Sequence, residues 1–206
     1  MLSPPGSPAK ISAILLAAGL SRRMGGVDKL LLHYNGRPLL SVAIALMDSL
    51  PVYEKILVTT AERLKQVPVP DNVHILINPS PRDGLSGSMR LGVKAASGDY
   101  YLFLAADQPL LTAADLMPVL DAAEECRIVY PTAEGKPCTP ALFSAFFREE
   151  LLACSGDSGG RLVRQAHPEA CCAVTAEIPG NFVDIDCAAS YLSLTGGKPL
   201  SAMEKS

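Results

Sequence analysis

The sequence predicts an α/β fold in which a mostly parallel β-sheet has helices on both faces. Through the first two thirds of the chain, apolar runs of strand length alternate with segments that have helical periodicity. The first run, Ile11–Leu16, is almost continuously apolar, which is typical of a strand buried on both faces. Charged or glycine-rich segments follow several predicted strands, and open α/β sheets bind their ligands at these strand ends.

The strands are predicted from short runs of apolar and β-branched residues that end at charged or turn-forming residues. The run YYLFLA, which begins at Tyr100, is a buried strand of this kind, and the runs in the last third of the chain are shorter. In chain order, the predicted strands are Ile11–Leu16, Lys55–Thr59, His74–Asn78, Tyr100–Ala105, Arg127–Tyr130, Ala141–Phe143, Cys171–Ala176 and Phe182–Ile185.

Helices are predicted where apolar residues recur three and four positions apart, or where a capping pattern begins the segment. The segment after Pro38 shows this spacing, and proline suits the first turn of a helix. Thr112 and Asp115 form a capping-box pattern at the start of a later helix. In chain order, the predicted helices are 39–50, Ser86–Ala96, 112–126, Ser144–Ala153, Gly159–Ala166 and Ala188–Leu194.

The composition is that of one globular domain with a full hydrophobic core. Hydrophobic residues make up 49% of the 206 residues, and the formal net charge is only -3. General binders of nucleic acid or membrane surfaces carry a strong basic excess, so no nucleic-acid or membrane partner is expected. Residues 1–10 are predicted to form a flexible tail, residues 11–195 a single domain, and residues 196–206 a frayed tail.

The cysteines and the first residues favour a cytoplasmic protein. The 6 cysteines include neither a C-x-x-C pair nor a cysteine–histidine cluster with zinc-ligand spacing, so we interpret them as reduced, mostly buried thiols. The opening residues MLSPPGSPAK lack the apolar middle region of a signal peptide. No apolar run approaches the roughly 18 residues of a membrane-spanning helix.

The segment LLAAGLSRRMGGVDKLLL, residues 15–32, has the composition of a phosphate-binding loop. Small side chains at Ala17, Ala18 and Gly19 let the backbone approach a ligand closely, and backbone N–H groups in such a turn attract anions. Arg23 and Lys29 add full positive charges that suit phosphate. The segment matches neither G-x-x-x-x-G-K-[ST] nor G-x-G-x-x-G. The alternative interpretation is a solvated basic loop.

Two aspartates are candidates for holding Mg²⁺. Asp107 follows a buried strand in AADQPLL, so its carboxylate would face the basic loop across the strand ends. Magnesium takes one or two protein carboxylates together with phosphate oxygens and water. Asp107 could instead be a turn residue before Pro109, and Asp186 in FVDIDCAAS a helix cap. Ser86 and Ser88 could likewise be plain N-caps.

Together these segments resemble the nucleotidyltransferases that build molybdenum-cofactor dinucleotides. The basic segment matches the family motif L-A-[AG]-G-x-S-x-R-M-G…K through Leu16, Ala17, Ala18, Gly19, Ser21, Arg23, Met24, Gly25 and Lys29. Four later segments resemble further motifs of the family in the same order: NPSPRDGLSGSMRLGV, AADQPLL, SGDSGGRL and VDIDCAASY. The matches cover almost the whole chain after the predicted amino-terminal tail.

The resemblance implies a three-layer α/β/α sandwich, a Rossmann-like nucleotidyltransferase fold similar to GT-A. It implies transfer of a nucleoside monophosphate from an NTP to the terminal phosphate of molybdopterin, the molybdenum cofactor, with release of pyrophosphate. A molybdenum hydroxylase is the expected recipient. By position, the family's nucleotide-binding residues would be Leu16, Ala17, Ala18, Gly19, Ser21 and Ser88. Arg23 and Lys29 would hold the triphosphate, and Asp107 and Asp186 would hold Mg²⁺. Arg23, Lys29 and Asp107 would thus be the catalytic residues.

Ala18 favours CTP as the nucleotide. The cytidylyl branch of the family resembles LAAG, whereas the guanylyl branch usually has LAGG, and the extra methyl group leaves less room for a purine. The pair Asp28–Lys29 instead resembles the guanylyl branch, so GTP is the alternative nucleotide.

Two departures from the family pattern concern the acceptor. In the run Cys138-Thr139-Pro140, Cys138 and Thr139 stand where relatives often have a glycine followed by histidine or asparagine before P-V-L-F, and residues 187–190 replace T-P-E-D. Another phosphorylated small molecule, such as a sugar phosphate, is therefore an alternative acceptor. A non-catalytic cofactor carrier for molybdenum hydroxylases is an alternative of a different class. The presence of Arg23, Lys29 and Asp107 argues against a carrier, which needs no site for Mg²⁺ and triphosphate.

Overall fold

A computed structural model describes residues 9–21, 24, 26–123 and 127–196. Its strands are β1 (Ile11–Ala17), β2 (His33–Tyr34), β3 (Arg37–Pro38), β4 (Glu54–Thr59), β5 (Val73–Ile77), β6 (Tyr100–Ala105), β7 (Ile128–Ala133), β8 (Lys136–Pro137), β9 (Ala141–Ser144) and β10 (Cys171–Thr175). Its helices are α1 (Leu39–Ser49), α2 (Ala61–Leu64), α3 (Leu85–Ala95), α4 (Ala113–Asp121), α5 (Arg148–Ala153), α6 (Arg161–Ala166) and α7 (Ala188–Thr195). Arg23, most of both predicted tails and the end of the predicted helix 112–126 lie outside the described residues.

The main sheet has eight strands in the order β10-β7-β9-β6-β1-β4-β5, with β8 paired to β7. Strands β6, β1, β4 and β5 are parallel to one another, and β10 is parallel to β7. Strand β9 runs antiparallel to both β6 and β7. The predicted α/β fold with a mostly parallel sheet is confirmed. Because the parallel strands end at the same edge, the loops after β1 and β6 lie side by side.

The core fills both faces of the sheet, which gives the three predicted layers. Alternate residues of a strand point to opposite faces. Ala13 and Leu15 of β1 therefore pack with Leu40 of α1 on one face, whereas Ile14 packs with Val93 of α3 on the other. Helix α4 joins the first face, and α5 and α6 join the second.

The carboxyl-terminal helix α7 positions the segment that contains Asp186. Tyr191 of α7 is fully buried with Met24 and Ile185 in a small third cluster, and its hydroxyl donates to the His33 carbonyl at 2.7 Å. This packing places the segment 184–187 beside the loop that follows β1.

The prediction of a strand at Phe182–Ile185 is wrong. Phe182 is buried in the main core and Ile185 is buried in the small cluster beneath α7, so the two apolar side chains belong to different hydrophobic clusters. The segment forms no ladder, and the Ile185 N–H donates instead to the Asp107 carbonyl at 2.9 Å. A short hairpin of β2 and β3, which the prediction missed, turns at Asn35 and Gly36, both with positive φ.

Five cysteines lie in the described residues, and all five are free thiols. Only Cys154 is buried, whereas Cys138, Cys171, Cys172 and Cys187 are partly exposed, so the prediction of mostly buried thiols is wrong. In this part of the chain, no helix is long and apolar enough to cross a membrane.

Candidate active site

A cleft of about 680 Å³ opens at the edge of the sheet where β1 and β6 end. The loop after β1 forms one wall, and the starts of α3 and α6 form the opposite wall. The predicted site residues that line it are Leu16, Ala18, Gly19, Ser21, Lys29, Ser88, Asp107 and Asp186. Ala17 does not line the cleft, because it is buried in the core at the end of β1.

Arg63, a residue that sequence reasoning missed, supports the loop after β1 from beneath. It lies on the short helix α2 and is only 4% exposed. Its Nε and Nη2 donate to both carboxylate oxygens of Asp28, at 2.7 and 2.9 Å. Its Nη1 and Nη2 donate to the carbonyls of Ala17 and Gly19, each at 2.6 Å. One guanidinium group therefore fixes both ends of the loop.

The contacts of Arg63 set the direction of the loop amides. In a trans peptide the C=O and N–H groups point in opposite directions. The Ala17 and Gly19 carbonyls point at Arg63, so the N–H groups of Ala18 and Leu20 point away from it. Both residues line the cleft. The loop thus combines small side chains with amides turned away from a buried cation, an arrangement that suits a phosphate group.

Two side chains of the same loop hold the backbone of Lys29 in place. Asp28 caps a single 3₁₀ turn over Lys29–Leu31 by accepting the N–H of Leu30 at 3.1 Å. The Ser21 hydroxyl accepts the N–H of Lys29 at 3.2 Å. Ser21 has a positive φ of 49°, a conformation that non-glycine residues rarely adopt. Ser21 therefore shapes the loop, because its hydroxyl holds the backbone N–H of Lys29.

The Lys29 ammonium group lies among three oxygen atoms at the mouth of the cleft. Its Nζ is 2.5 Å from Asp107 Oδ2, 3.0 Å from the Ile185 carbonyl and 3.7 Å from Asp186 Oδ1. The Lys29 and Asp107 side chains are 16% and 18% exposed, so the pair is shielded from water. The structure thus brings together the lysine predicted for triphosphate and both aspartates predicted for Mg²⁺.

A third carboxylate, Asp184, belongs to the same group and was missed by sequence reasoning. Part of Asp184 is exposed, but the surrounding protein desolvates its carboxyl, and this burial is the main cause of a pKa that is raised to about 6. Repulsion from Asp107 and Asp186 contributes to that rise in the pKa, whereas Lys29 and Gln108 oppose it. Among the described residues, Asp184 thus adds a third carboxylate beside the pair that faces Lys29.

The carboxylates suit a metal ion that is bound jointly by protein and phosphate. They suit a metal ion held by protein ligands alone less well. Among the described residues, no group of three His, Cys, Asp or Glu side chains is arranged to hold a metal ion. Asp107 and Asp186 lie within 3.7 Å of the same Nζ, which gives two oxygen donors around one cationic position. Two carboxylates and open positions for phosphate oxygens are the donor set that Mg²⁺ takes in nucleotide sites.

The opposite wall is built by close contacts between the start of α3 and the segment before α6. The Asp157 carboxylate accepts the N–H of Leu85 at 3.2 Å, and the Gly156 carbonyl accepts the N–H of Ser86 at 3.0 Å. A side chain at Gly84 would overlap the Asp157 carboxylate. These contacts use the first N–H groups of α3. The role of Asp157 is therefore to join the two segments of this wall.

Ser88 lies in the same wall, one turn into α3. It is 3% exposed, lines the cleft, and its hydroxyl accepts a hydrogen bond from Asn78 Nδ2 at 3.0 Å. Asn78 directly follows β5 and in turn accepts the N–H of Ser80. Ser88 is thus held from the neighbouring strand end rather than acting as an N-cap.

Comparison with known proteins shows the family of this chain. The sequence profile of the family described as MobA-like NTP transferase domain matches residues 13–171. The chain belongs to the MobA-like NTP transferase family. It is therefore an NTP-dependent nucleotidyltransferase, and the cleft beside Lys29 and Asp107 is its candidate active site. The matched range ends before Asp184 and Asp186.

Individual relatives agree with this assignment. A molybdenum cofactor guanylyltransferase from Syntrophotalea carbinolica is 30% identical over 155 residues, which make up 71% of this chain and 67% of that protein. A nucleotidyl transferase from Methanothermobacter thermautotroptrophicus superposes with a TM-score of 0.77 at 26% identity, over 91% of this chain and 96% of that one. Rv0371C from Mycobacterium tuberculosis, solved as a complex with manganese, superposes with a TM-score of 0.73 at 19% identity, over 92% and 100%. The last likeness shows the fold alone.

Substitution of Arg63 by methionine is expected to lower the free energy of unfolding by about 2–4 kcal/mol. The change leaves the Gly19 carbonyl without the Arg63 donor, leaves the Ala17 carbonyl with only the weaker bond from Thr59 Oγ1 at 3.3 Å, and leaves Asp28 without its counter-charge. Urea unfolding at neutral pH measures the effect. Arg82→Met, at an exposed arginine, is the control and should change stability by less than about 0.5 kcal/mol. A similarly small change for Arg63→Met would contradict the supporting role.

Proposed function

We propose that this chain transfers CMP from CTP to the terminal phosphate of molybdopterin and releases pyrophosphate. One observation carries the proposal: the Lys29 ammonium lies between Asp107 and Asp186 at the mouth of the cleft, beside the loop after β1. Amides and a lysine suit a triphosphate, and the paired carboxylates suit its metal ion. The family membership supplies the reaction class, NTP-dependent nucleotidyl transfer.

The proposed reaction needs no covalent protein nucleophile. An oxygen of the acceptor phosphate attacks the α-phosphorus in line with the departing pyrophosphate, so the protein acts by positioning and by balancing charge. The loop amides and Lys29 would hold the triphosphate oxygens, and the Lys29 charge would stabilise the leaving group. Arg23, which lies outside the described residues, is proposed for the same role from its motif position. Mg²⁺ bound by Asp107 and Asp186 would supply further neutralisation of phosphate charge.

The choice of CTP rests on Ala18. This residue is 2% exposed and lines the cleft, so its methyl group occupies space that a glycine would leave open. A pyrimidine needs less of that space than a purine. The resemblance of Asp28 to the guanylyl branch has a different explanation in this structure, because its carboxylate is bound to Arg63 beneath the loop. We therefore give Ala18 more weight than Asp28 in the choice of base.

GTP is the second candidate nucleotide, since the relative from Syntrophotalea carbinolica is named a guanylyltransferase. Molybdopterin as the acceptor rests on the same relative and on the motif resemblance. The segment that departs from the family pattern, Cys138 and Thr139, lines the cleft and would contact the acceptor. A different phosphorylated acceptor would be accommodated by changes at these positions.

The test is pyrophosphate release by the full chain with Mg²⁺, molybdopterin and each of the four NTPs in turn. We expect release with CTP and at least about tenfold slower release with GTP, a difference of about 1.4 kcal/mol in transition-state binding. Faster release with GTP would overturn the choice of base. Release only when a sugar phosphate replaces molybdopterin would overturn the acceptor. Tight molybdopterin binding without release from any NTP would favour a carrier and overturn the proposed activity.

A further inference from the structure

Asn78 is a buried polar residue that meets the cleft only through Ser88. It directly follows β5 and does not itself line the cleft. Its partner Ser88, 3.0 Å from Asn78 Nδ2, does line the cleft. The backbone N–H of Asn78 donates to the Thr59 carbonyl at 2.8 Å, which extends the pairing of β4 and β5 by one hydrogen bond. Asn78 is therefore held in place by the sheet.

The hydrogen bonds of Asn78 determine which of its amide atoms faces Ser88. The backbone N–H of Ser80 donates to the Asn78 side chain at 2.8 Å. A backbone N–H can only donate, so the atom that it meets is Oδ1, and the atom that faces Ser88 is Nδ2. An amide nitrogen can also only donate, so the Ser88 hydroxyl oxygen accepts this hydrogen bond.

The Ser88 hydroxyl keeps its own hydrogen for another partner. A serine hydroxyl donates one hydrogen bond in addition to those that it accepts. Within the part of the chain that the structure describes, no group accepts the hydrogen of Ser88. Because Ser88 lines the cleft, this hydrogen is available to a ligand there.

The order of the strands places Asn78 and Ser88 away from the reacting phosphates. Asp107 follows β6 and Asn78 follows β5, and β1 and β4 lie between these two strands. Three strand spacings put the end of β5 about 14 Å along the sheet from the end of β6. A nucleotide whose triphosphate lies beside Lys29 and Asp107 therefore reaches Ser88 with its opposite end, which is the base.

We propose that Asn78 is a positioning residue that makes Ser88 a hydrogen-bond donor to the base of the nucleotide. Ser88 then selects a base that presents an acceptor at this place, either a carbonyl oxygen or an unprotonated ring nitrogen. Cytosine has both kinds of acceptor next to each other. This inference rests on the proposed function, because it concerns the nucleotide half of that site.

The test compares CTP affinity, measured by calorimetry with Mg²⁺ and without acceptor at neutral pH, in Asn78→Asp and wild type. Aspartate keeps the size of the side chain and the acceptor for the Ser80 N–H, but its second oxygen accepts where the amide donates. The Ser88 hydrogen then turns towards the carboxylate, and only lone pairs face the base. We expect CTP affinity to fall at least about tenfold. The kcat at saturating CTP and the KM for molybdopterin should stay unchanged.

Asn72→Asp is the matched control, because it makes the same change at an exposed asparagine before β5. It should leave the CTP affinity and both kinetic constants unchanged. CTP affinity equal to wild type in a folded Asn78→Asp variant would overturn the positioning role.

Ser88→Ala distinguishes an effect through Ser88 from a general effect of charge or fold. Alanine removes the donor, so Asn78→Asp added to Ser88→Ala should lower CTP affinity by less than about twofold further. A full-sized loss in that background would overturn the positioning role. Urea unfolding shows whether each variant is folded. If Asn78→Asp is not folded, Asn78→Ala takes its place, and it should weaken CTP binding only when Ser88 is present.

Binding and turnover together distinguish this inference from the proposed function. CTP affinities that change as expected, with no pyrophosphate release by wild type, would support the role of Asn78 and overturn the proposed activity. Binding of GTP in place of CTP by wild type would overturn the choice of base, and the same variants measured with GTP would then decide the role of Asn78. Failure of wild type to bind any NTP would overturn both.

Discussion

Asp107→Asn is expected to slow pyrophosphate release at least about 100-fold while leaving the fold intact. The Asp107 carboxylate is 18% exposed at the end of β6 and lies 2.5 Å from Lys29 Nζ. Asparagine keeps the size of the side chain but removes the charge that would hold the metal. Lys29 keeps its contact with the Ile185 carbonyl and its proximity to Asp186, so the local structure retains two of its three oxygen contacts.

Rates of pyrophosphate release, measured over a wide range of Mg²⁺ and Mn²⁺ concentrations, show whether the loss of activity is due to weaker metal binding. A role in metal binding predicts that high metal concentration restores part of the activity of Asp107→Asn. Asp71→Asn, at an exposed aspartate before β5, is the matched control and should behave as wild type. Urea unfolding confirms that the variant is folded. A folded Asp107→Asn variant with a near-normal rate at low Mg²⁺ would remove Asp107 from the metal site.

The sequence located Lys29 and Asp107 because their positions follow from local patterns and one general rule. Each follows a buried strand, and parallel strands bring their carboxyl ends to the same edge of the sheet. That rule brings the two segments that contain these residues to one edge of the sheet, although the residues are 78 positions apart in the chain. The same reasoning placed Ala18, Gly19 and Ser88 in the cleft.

Arg63 could not be found in this way. Its segment AERL has no motif, and its partners are the Asp28 carboxylate and two carbonyls more than 40 residues earlier in the chain. The value of Arg63 to the site depends on the packing of α2 beneath the loop after β1. No local sequence pattern predicts that contact.

The errors in the last third of the chain have a related cause. The run Phe182–Ile185 is apolar enough for a strand, but Phe182 and Ile185 are buried in different clusters, and the segment is shaped by those anchors. The strand interpretation also obscured Asp184, two positions before Asp186. The direction of β9 could not be predicted from the sequence either. Its long-range pairing with β6 and β7 determines that it runs antiparallel to them.

Lys29→Met is expected to change the affinities for nucleotide and for metal in opposite directions. In the structure the ammonium group occupies the position between Asp107 and Asp186 where a divalent cation would lie. Removal of its charge should weaken CTP binding at least about tenfold, because a charge-assisted contact to the triphosphate is lost. Removal of the same charge should strengthen Mn²⁺ binding without nucleotide, because the carboxylates lose their internal counter-cation. Methionine keeps most of the length of the side chain, so packing changes little.

The two effects are measured separately. Electron paramagnetic resonance of free Mn²⁺ with no nucleotide present gives the affinity for metal, and calorimetry with Mg²⁺ gives the affinity for CTP. Lys65→Met, at an exposed lysine outside the cleft, is the control for loss of a positive charge. Unchanged CTP affinity in Lys29→Met would remove Lys29 from the triphosphate site. Unchanged Mn²⁺ affinity would show that the ammonium does not compete with the metal. If both affinities change as expected, Lys29 both binds the triphosphate and competes with the metal for the carboxylate pair.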